Sequence, residues 1–322
     1  MSDRALVLGA GGFIGSHMCR RLVKSGWDVT GVVRDPDDAT TCRRLEPVAG
    51  HIRTVTGDAA DPDLLATLIP GADAVFPFAG RSGAAQSMRA PERDLDANGR
   101  GQLVVLEALR RFHPEARVVF AGSRLQYGRV EALPVTEDQA QLPTSIYGIH
   151  KLLGEQYHRL YARIHGLATT VLRISNPYGP MQDRPGEEYG IVGTFLARAA
   201  RGEAITVYGG GGQLRDYLFI DDLTGLIELA ATHPAAVGEV FNASGMSATP
   251  LRRMAEAVVH VVGSGSVVDV DWPADAASVE TGDYFGSWAK AEQSLGWRPT
   301  VPLEVGLERT WLEFRAHLAG TP

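Results

Sequence analysis

Tyr147 and Lys151 stand four residues apart in the stretch Tyr147-Gly148-Ile149-His150-Lys151, inside a region, 146–165, whose apolar spacing predicts a long helix. Residues at that spacing share one helix face. An ammonium beside a phenol favours the phenolate and lowers its pKa, and a phenol tuned toward neutral pH serves as general base or acid. Ser123 follows a strand expected at 117–120 and is placed to hydrogen-bond the same substrate hydroxyl or carbonyl. Tyr and Lys meet at this spacing on many surface helices, so the pair gains meaning only from what surrounds it.

The surroundings begin near the N-terminus. Residues 5–8 form an apolar run that predicts a buried strand, and Gly9, Gly12 and Gly15 follow it. The next stretch, 13–23, has helical spacing with Ile14, Met18 and Leu22 on one face. A glycine turn between a strand and a helix start gathers bare N–H groups at the positive end of the helix dipole. That is an anion site suited to a dinucleotide pyrophosphate. The glycines permit the tight turn, the approach of the phosphate, and close packing of helix on strand.

Strand and helix signals then alternate. Strands are expected at 29–33, 55–56, 74–78, 117–120 and 169–172, and helices at 62–68, 95–111 and 146–165. Such alternation predicts an α/β fold, a Rossmann-like doubly wound parallel sheet with its ligand beyond the carboxyl ends of the strands. Gly9, Asp58, Ala79, Ser123 and Asn176 all follow expected strands and can face one crevice. After Pro177 the alternation is lost. The division we expect is a dinucleotide-binding domain at 1–178, to which 215–245 returns, and a smaller interleaved α/β substrate domain made of 179–214 and 246–322. The run Gly209-Gly210-Gly211-Gly212 reads equally as a flexible loop without a role.

The 322 residues are 44% hydrophobic and 21% charged, with a net charge of −7, which is an ordinary globular balance. An acidic chain argues against nucleic-acid and membrane-surface partners, both of which favour basic patches. No apolar run reaches the roughly 18 residues of a membrane span. Cys19 and Cys42 lack metal or redox spacing and fit a reducing compartment. With no charged-then-apolar leader, the expectation is a cytoplasmic protein without a metal. His17 and His150 are single helix histidines and read as structural.

Taken together, Gly9 to Gly15, Gly57-Asp58, Ser123 to Gly128, Tyr147 to Lys151, Leu172 to Pro180, Arg215-Asp216-Tyr217, Asp221-Asp222 and Leu295-Gly296-Trp297 make a pattern. The chain resembles an extended short-chain dehydrogenase/reductase of the nucleotide-sugar epimerase/dehydratase kind over nearly its whole length. The resemblance implies that Ser123, Tyr147 and Lys151 form the catalytic trio. Tyr147 would take the proton of a sugar hydroxyl while hydride passes to a nicotinamide, and Lys151 would hold the nicotinamide ribose. The cofactor would lie on Gly9, Gly12, Phe13, Ile14, Gly15 and Ala79, with Asp58 at the adenine. Asn176 and Arg215 would bind the diphosphate of a nucleotide sugar, Tyr208 and Asp283 the uridine or ribose, and Ser87 and Met88 the sugar. Arg215 suits a phosphate because a guanidinium meets two oxygens at once. The alternative for it is an ion pair with Asp216 or Asp221. The long helices near 97–111 and 147–164 resemble those with which family members build a homodimer.

Three departures shape the reading. Val33 stands where an acid commonly ends the second strand, followed by Arg34 and Asp35. Arg34 suits a 2′-phosphate and tips the cofactor slightly toward NADP over NAD, unless Asp35 takes the acidic role. Arg124 and Leu125 follow Ser123 where sugar dehydratases carry an acid to protonate the leaving hydroxyl, which disfavours dehydration and decarboxylation. Glu280 stands before Gly282-Asp283, where many members have a phosphate-binding arginine. The expected activity is nucleotide-sugar 4-epimerisation of a UDP-hexose or UDP-uronate. The alternatives are a ketosugar reductase with the same trio and a non-catalytic dinucleotide sensor. Arg81, after the fourth strand, could meet a substrate carboxylate, cofactor phosphate or solvent.

Overall fold

The computed structural model describes residues 2–182, 190–273, 277 and 280–320. The strands run β1 (Arg4–Leu8), β2 (Asp28–Val33), β3 (Ile52–Thr56), β4 (Ala74–Pro77), β5 (Arg117–Ser123), β6 (Thr169–Ile174), β7 (Asn176–Tyr178), β8 (Ala204–Tyr208), β9 (Leu214–Arg215), β10 (Tyr217–Phe219), β11 (Val240–Ala243), β12 (Thr249–Pro250) and β13 (Ser266–Val270). Seven of them form one parallel sheet in the order β11-β6-β5-β4-β1-β2-β3. The chain builds outward from β1 to β3, then crosses back to β4 on the other side. The order therefore reverses between β1 and β4, which puts a ligand crevice at their carboxyl ends.

Strand β1 shows why the sheet is covered on both faces. Ala5 and Val7 join one hydrophobic cluster and Leu6 and Leu8 another, as the period of 2 along a strand requires. The helices are α1 (Phe13–Lys24), α2 (Ala39–Leu45), α3 (Pro62–Leu68), α4 (Ala84–Arg89), α5 (Pro91–Leu95), α6 (Gly101–Phe112), α7 (Ile146–His165), α8 (Ile191–Ala200), α9 (Ile220–Thr232), α10 (Leu251–Val262), α11 (Ala289–Leu295) and α12 (Leu303–Gly320). Helix α3 starts where the Asp61 side chain accepts from the Asp63 and Leu64 N–H groups, with Pro62 at the first helical position. Helix α7 starts on Ser145, whose hydroxyl accepts from Gly148, and stops at Gly166 in the left-handed conformation.

Beyond β7 the small parallel pair β8–β13 and helices α8 and α10 pack on the sheet domain. The cluster that contains Val7 and Met18 runs without a break into Phe195, Val207 and Val258. Two observations refine the expectations. The helix expected over 95–111 is α5, a π-helical segment Asp96–Arg100, and α6. Gly99 lies in that segment, where a Cβ would come within 3.1 Å of Leu95 and Leu153, so the extra residue is accommodated by close packing against α7. The four-glycine run is held rather than loose. Gly210 donates to Asp269 at 2.8 Å and accepts from Arg252 at 2.8 Å, and a Cβ on Gly209 would strike the Trp272 ring.

Candidate active site

Gly9 leaves β1 with φ +87°, and a Cβ there would come 2.7 Å from the Ala79 backbone nitrogen. Only glycine permits both. A Cβ on Gly15 would collide with the Gly9 carbonyl oxygen, so α1 is packed directly against the turn. The N-terminus of α1 has Gly12 as its cap residue and no side-chain cap. The N–H groups of Phe13, Ile14 and Gly15 therefore face the crevice as open donors at the positive end of the dipole. This cradle fits the pyrophosphate of a dinucleotide. Asp58 ends the turn after β3, exposed, its carboxylate accepting from the Ala60 N–H at 2.9 Å. Arg34 and Asp35 are both exposed after β2, with Asp35 accepting from the Asp37 N–H. Arg81 is exposed after β4, and its carbonyl accepts from Asn98.

Strand β5 carries Ser123 to the same edge, and α7 presents Tyr147 and Lys151 beside it. Hydrogen bonding toward Ser123 favours the Tyr147 phenolate, as does the charge of Arg124, but burial outweighs both and pushes the phenol up to about 12. The expectation that Lys151 lowers this pKa is corrected. The ammonium is 5.7 Å from the centre of the Tyr147 ring and donates instead to the Ala121 carbonyl at 2.9 Å. Burial brings Lys151 itself down to about 8, against the charge of Asp94. Near it the Asn98 Oδ1 is buried without a hydrogen-bond partner, and both atoms lie within 4.0 Å of where a Gly80 Cβ would sit. An orphaned acceptor and an ammonium converging there suit the hydroxyls of a ribose, so the residues present fit a nicotinamide dinucleotide.

The substrate side is made differently. Arg215 is bound by Glu280 at 2.5 Å and by the carbonyl of Gly282, not by Asp216 or Asp221. Asp216 is fully buried, accepting from the Gly286 N–H, and burial raises its carboxyl to about 6. Asn176 donates to the Asp216 carbonyl and accepts from Arg124. Tyr208 ends β8 with its ring 5.3 Å from that of Trp272, and Asp283 accepts from the Leu214 N–H at 2.8 Å. Ser87, expected at the sugar, is held within the protein. The residue is 1% exposed, and its hydroxyl donates to the Ala84 carbonyl and accepts the Tyr147 N–H at 2.9 Å, so it fixes the start of α7. Met88 beside it is exposed.

Several residues that sequence reasoning passed over support this arrangement. Gln126 accepts the Ser123 N–H at 2.7 Å and donates to Glu155 at 2.6 Å. Glu155 in turn holds Arg173 through both carboxylate oxygens, in a buried pair. The only sequence signal was a charged residue, Arg173, directly after the strand expected at 169–172. His150 is structural but not alone, since its Nδ1 lies 2.7 Å from the buried Asp94 and ties α7 to α5. His17 contacts the Pro180 carbonyl and is held down to about 4 by burial. Cys19 and Cys42 are free thiols. Among the described residues no helix is long and apolar enough to cross a membrane.

A family model described as the NAD dependent epimerase/dehydratase family matches residues 5–244. The UDP-glucose 4-epimerase of Mycolicibacterium smegmatis is 30% identical over 322 residues, covering 97% of this chain and 98% of the relative. Among solved structures, the UDP-glucose 4-epimerase of Thermotoga maritima with UDP-glucose superposes with a TM-score of 0.87 at 31% identity, covering 98% of this chain and 99% of the other. The UDP-glucuronic acid 4-epimerase of Bacillus cereus, in complex with UDP-glucuronic acid and NAD, gives 0.86 at 26% identity with the same coverage. The chain belongs to the NAD dependent epimerase/dehydratase family.

Proposed function

We propose that this enzyme interconverts the C4 epimers of a UDP-hexose or UDP-hexuronate through transient oxidation at C4. The observation that carries the reading is that β5 ends on Ser123 and α7 carries Tyr147 and Lys151, the ammonium 5.7 Å from the centre of the phenol ring, in a fold whose α1 N-terminus is uncapped. When bound there, the nicotinamide supplies a reversible acceptor and donor of hydride. The protein does the rest. Tyr147 takes the proton of the 4-hydroxyl and later returns it, while Ser123 holds the same oxygen. A phenol near 12 is almost wholly protonated at neutral pH, so the positive charges that favour the phenolate matter. Arg124 supplies one of them from the protein. Lys151 and Asn98 position the cofactor ribose. Arg124 and Leu125 offer no acid for expelling a hydroxyl, which supports epimerisation over dehydration.

NAD is the cofactor we propose, as in the Bacillus cereus neighbour. The lean toward NADP rested on Arg34, and nothing among the relatives supports it. The homodimer would form through α6 and α7, where Phe112, Ile149, Leu160 and Ile164 are exposed. The purified protein is to be offered UDP-, dTDP-, GDP- and CDP-sugars, with the products separated. Interconversion of one C4 pair without net reduction of cofactor is expected. Failure on the whole panel would overturn the reading, and stoichiometric consumption of NAD(P)H with a keto substrate would replace it by the reductase.

A further inference from the structure

Arg124 is the residue that the account so far leaves with a charge and no counter-charge. It sits on the short turn Arg124–Gln126 that follows Ser123. Its Nε donates to Asn176 at 3.2 Å and its Nη1 to the Thr281 hydroxyl at 3.1 Å, and the guanidinium lies 5.3 Å from the centre of the Tyr284 ring. All three partners are neutral. Among the described residues no carboxylate comes within 4.0 Å of it and its Nη2 makes no hydrogen bond. The two acids nearby are engaged elsewhere. Glu280 holds Arg215 and the Gly282 N–H, and one oxygen of Asp216 holds the Gly286 N–H. Burial and the like charge of Arg215 bring Arg124 down to about 10, so it remains a cation at neutral pH.

A guanidinium withdrawn from water, fixed by two of its arms and open on the third, is a pre-oriented receptor for an oxyanion. Its place identifies which one. Its charge acts on the Tyr147 phenol, and it feels the charges of Arg215 and Glu280 as well. A nucleotide sugar has two kinds of oxyanion to offer, its diphosphate and a carboxylate on the pyranose ring. Arg124 is the immediate chain neighbour of Ser123, whereas a second guanidinium, Arg215, is available for the diphosphate. We propose that Arg124 is a specificity-determining residue that reads a carboxylate on the sugar, so that the substrate is a nucleotide hexuronate rather than a neutral hexose. This rests on the nucleotide-sugar reading above and narrows it.

The experiment uses UDP, UDP-glucose and UDP-glucuronate as probes, by calorimetric binding and by turnover, on the wild-type protein and on Arg124→Met and Arg124→Lys. Wild type is expected to prefer UDP-glucuronate. Met keeps the stem on the Tyr284 ring but removes the charge, and is expected to reduce the ratio of UDP-glucuronate to UDP-glucose affinity roughly tenfold to hundredfold. Lys should restore part of that ratio, which a merely structural role would not. Equal losses for UDP, UDP-glucose and UDP-glucuronate would assign Arg124 to the diphosphate and overturn the proposal, as would a wild-type protein that binds UDP-glucose as well as UDP-glucuronate. Binding of none of the three probes would instead overturn the nucleotide-sugar reading itself.

Discussion

The two halves of the crevice are built from different materials. The cofactor half is backbone: Gly9 at positive φ, the uncapped start of α1, and a helix pressed onto the turn. The substrate half is side chains held by other side chains: Arg215 by Glu280, Arg124 by Asn176 and Thr281. Backbone donors present the same chemistry whatever the neighbours. Side-chain cations depend on partners from distant parts of the chain, so small changes there alter what is bound without altering the fold.

Each half can be tested against the other. The largest effect is expected at the seam, where Tyr147→Phe should reduce kcat by roughly a thousandfold while calorimetry finds nucleotide and cofactor binding nearly intact. A variant that retains turnover would remove Tyr147 from the proton path. Gly9→Ala tests the backbone half. The forbidden φ and the Ala79 contact should cost about 1–3 kcal/mol of stability and expel the cofactor, read by absorbance of the purified protein. UDP binding should fall much less, and an equal loss of both ligands would merge the two halves.

Asp216 gives the substrate half a pH signature. Its carboxyl is raised by burial to about 6, above the ordinary value of about 4 for an aspartate. Folding therefore disfavours its charged form. Its contribution is most favourable below pH 4, is lost as pH rises from about 4 to about 6, and is constant above that. Asp216→Asn should gain stability relative to wild type across that window, by up to about 3 kcal/mol in urea unfolding. A difference independent of pH would show that the carboxyl titrates normally. The smallest effect is expected from Glu280→Gln. Removing the carboxylate leaves Arg215 without its partner, so the free protein should be slightly less stable and UDP should bind about fivefold tighter. Unchanged or weaker UDP binding would mean that Glu280 orients Arg215 rather than competes for it.

Legibility in the sequence follows the same division. Glycine spacing, strand–helix alternation and the Tyr147–Lys151 interval are local, so they could be read directly, and the expected edge of the sheet holds Gly9, Ser123 and Asn176. Asp216 and Asp221 are acids close to Arg215 in sequence, yet the arginine pairs with Glu280, 65 residues away. Nothing in the spacing chooses that partner; the packing of the C-terminal segment does. Ser87 is placed at the sugar by resemblance alone, and its hydroxyl also accepts the Tyr147 N–H, a bond set only when α4 meets α7. The Lys151 effect on Tyr147 failed for a related reason. Helix spacing sets which face a side chain leaves from, not where a four-carbon stem ends.

The claim on which the account stands is that hydride leaves C4 of the sugar and returns to the same molecule. A UDP-hexuronate and a UDP-hexose, each deuterated at C4, followed by NMR with the wild-type protein, test it directly. The account predicts that the C4 epimer forms with its deuterium still at C4. Loss of that deuterium to solvent, or no epimer from either substrate, would contradict it.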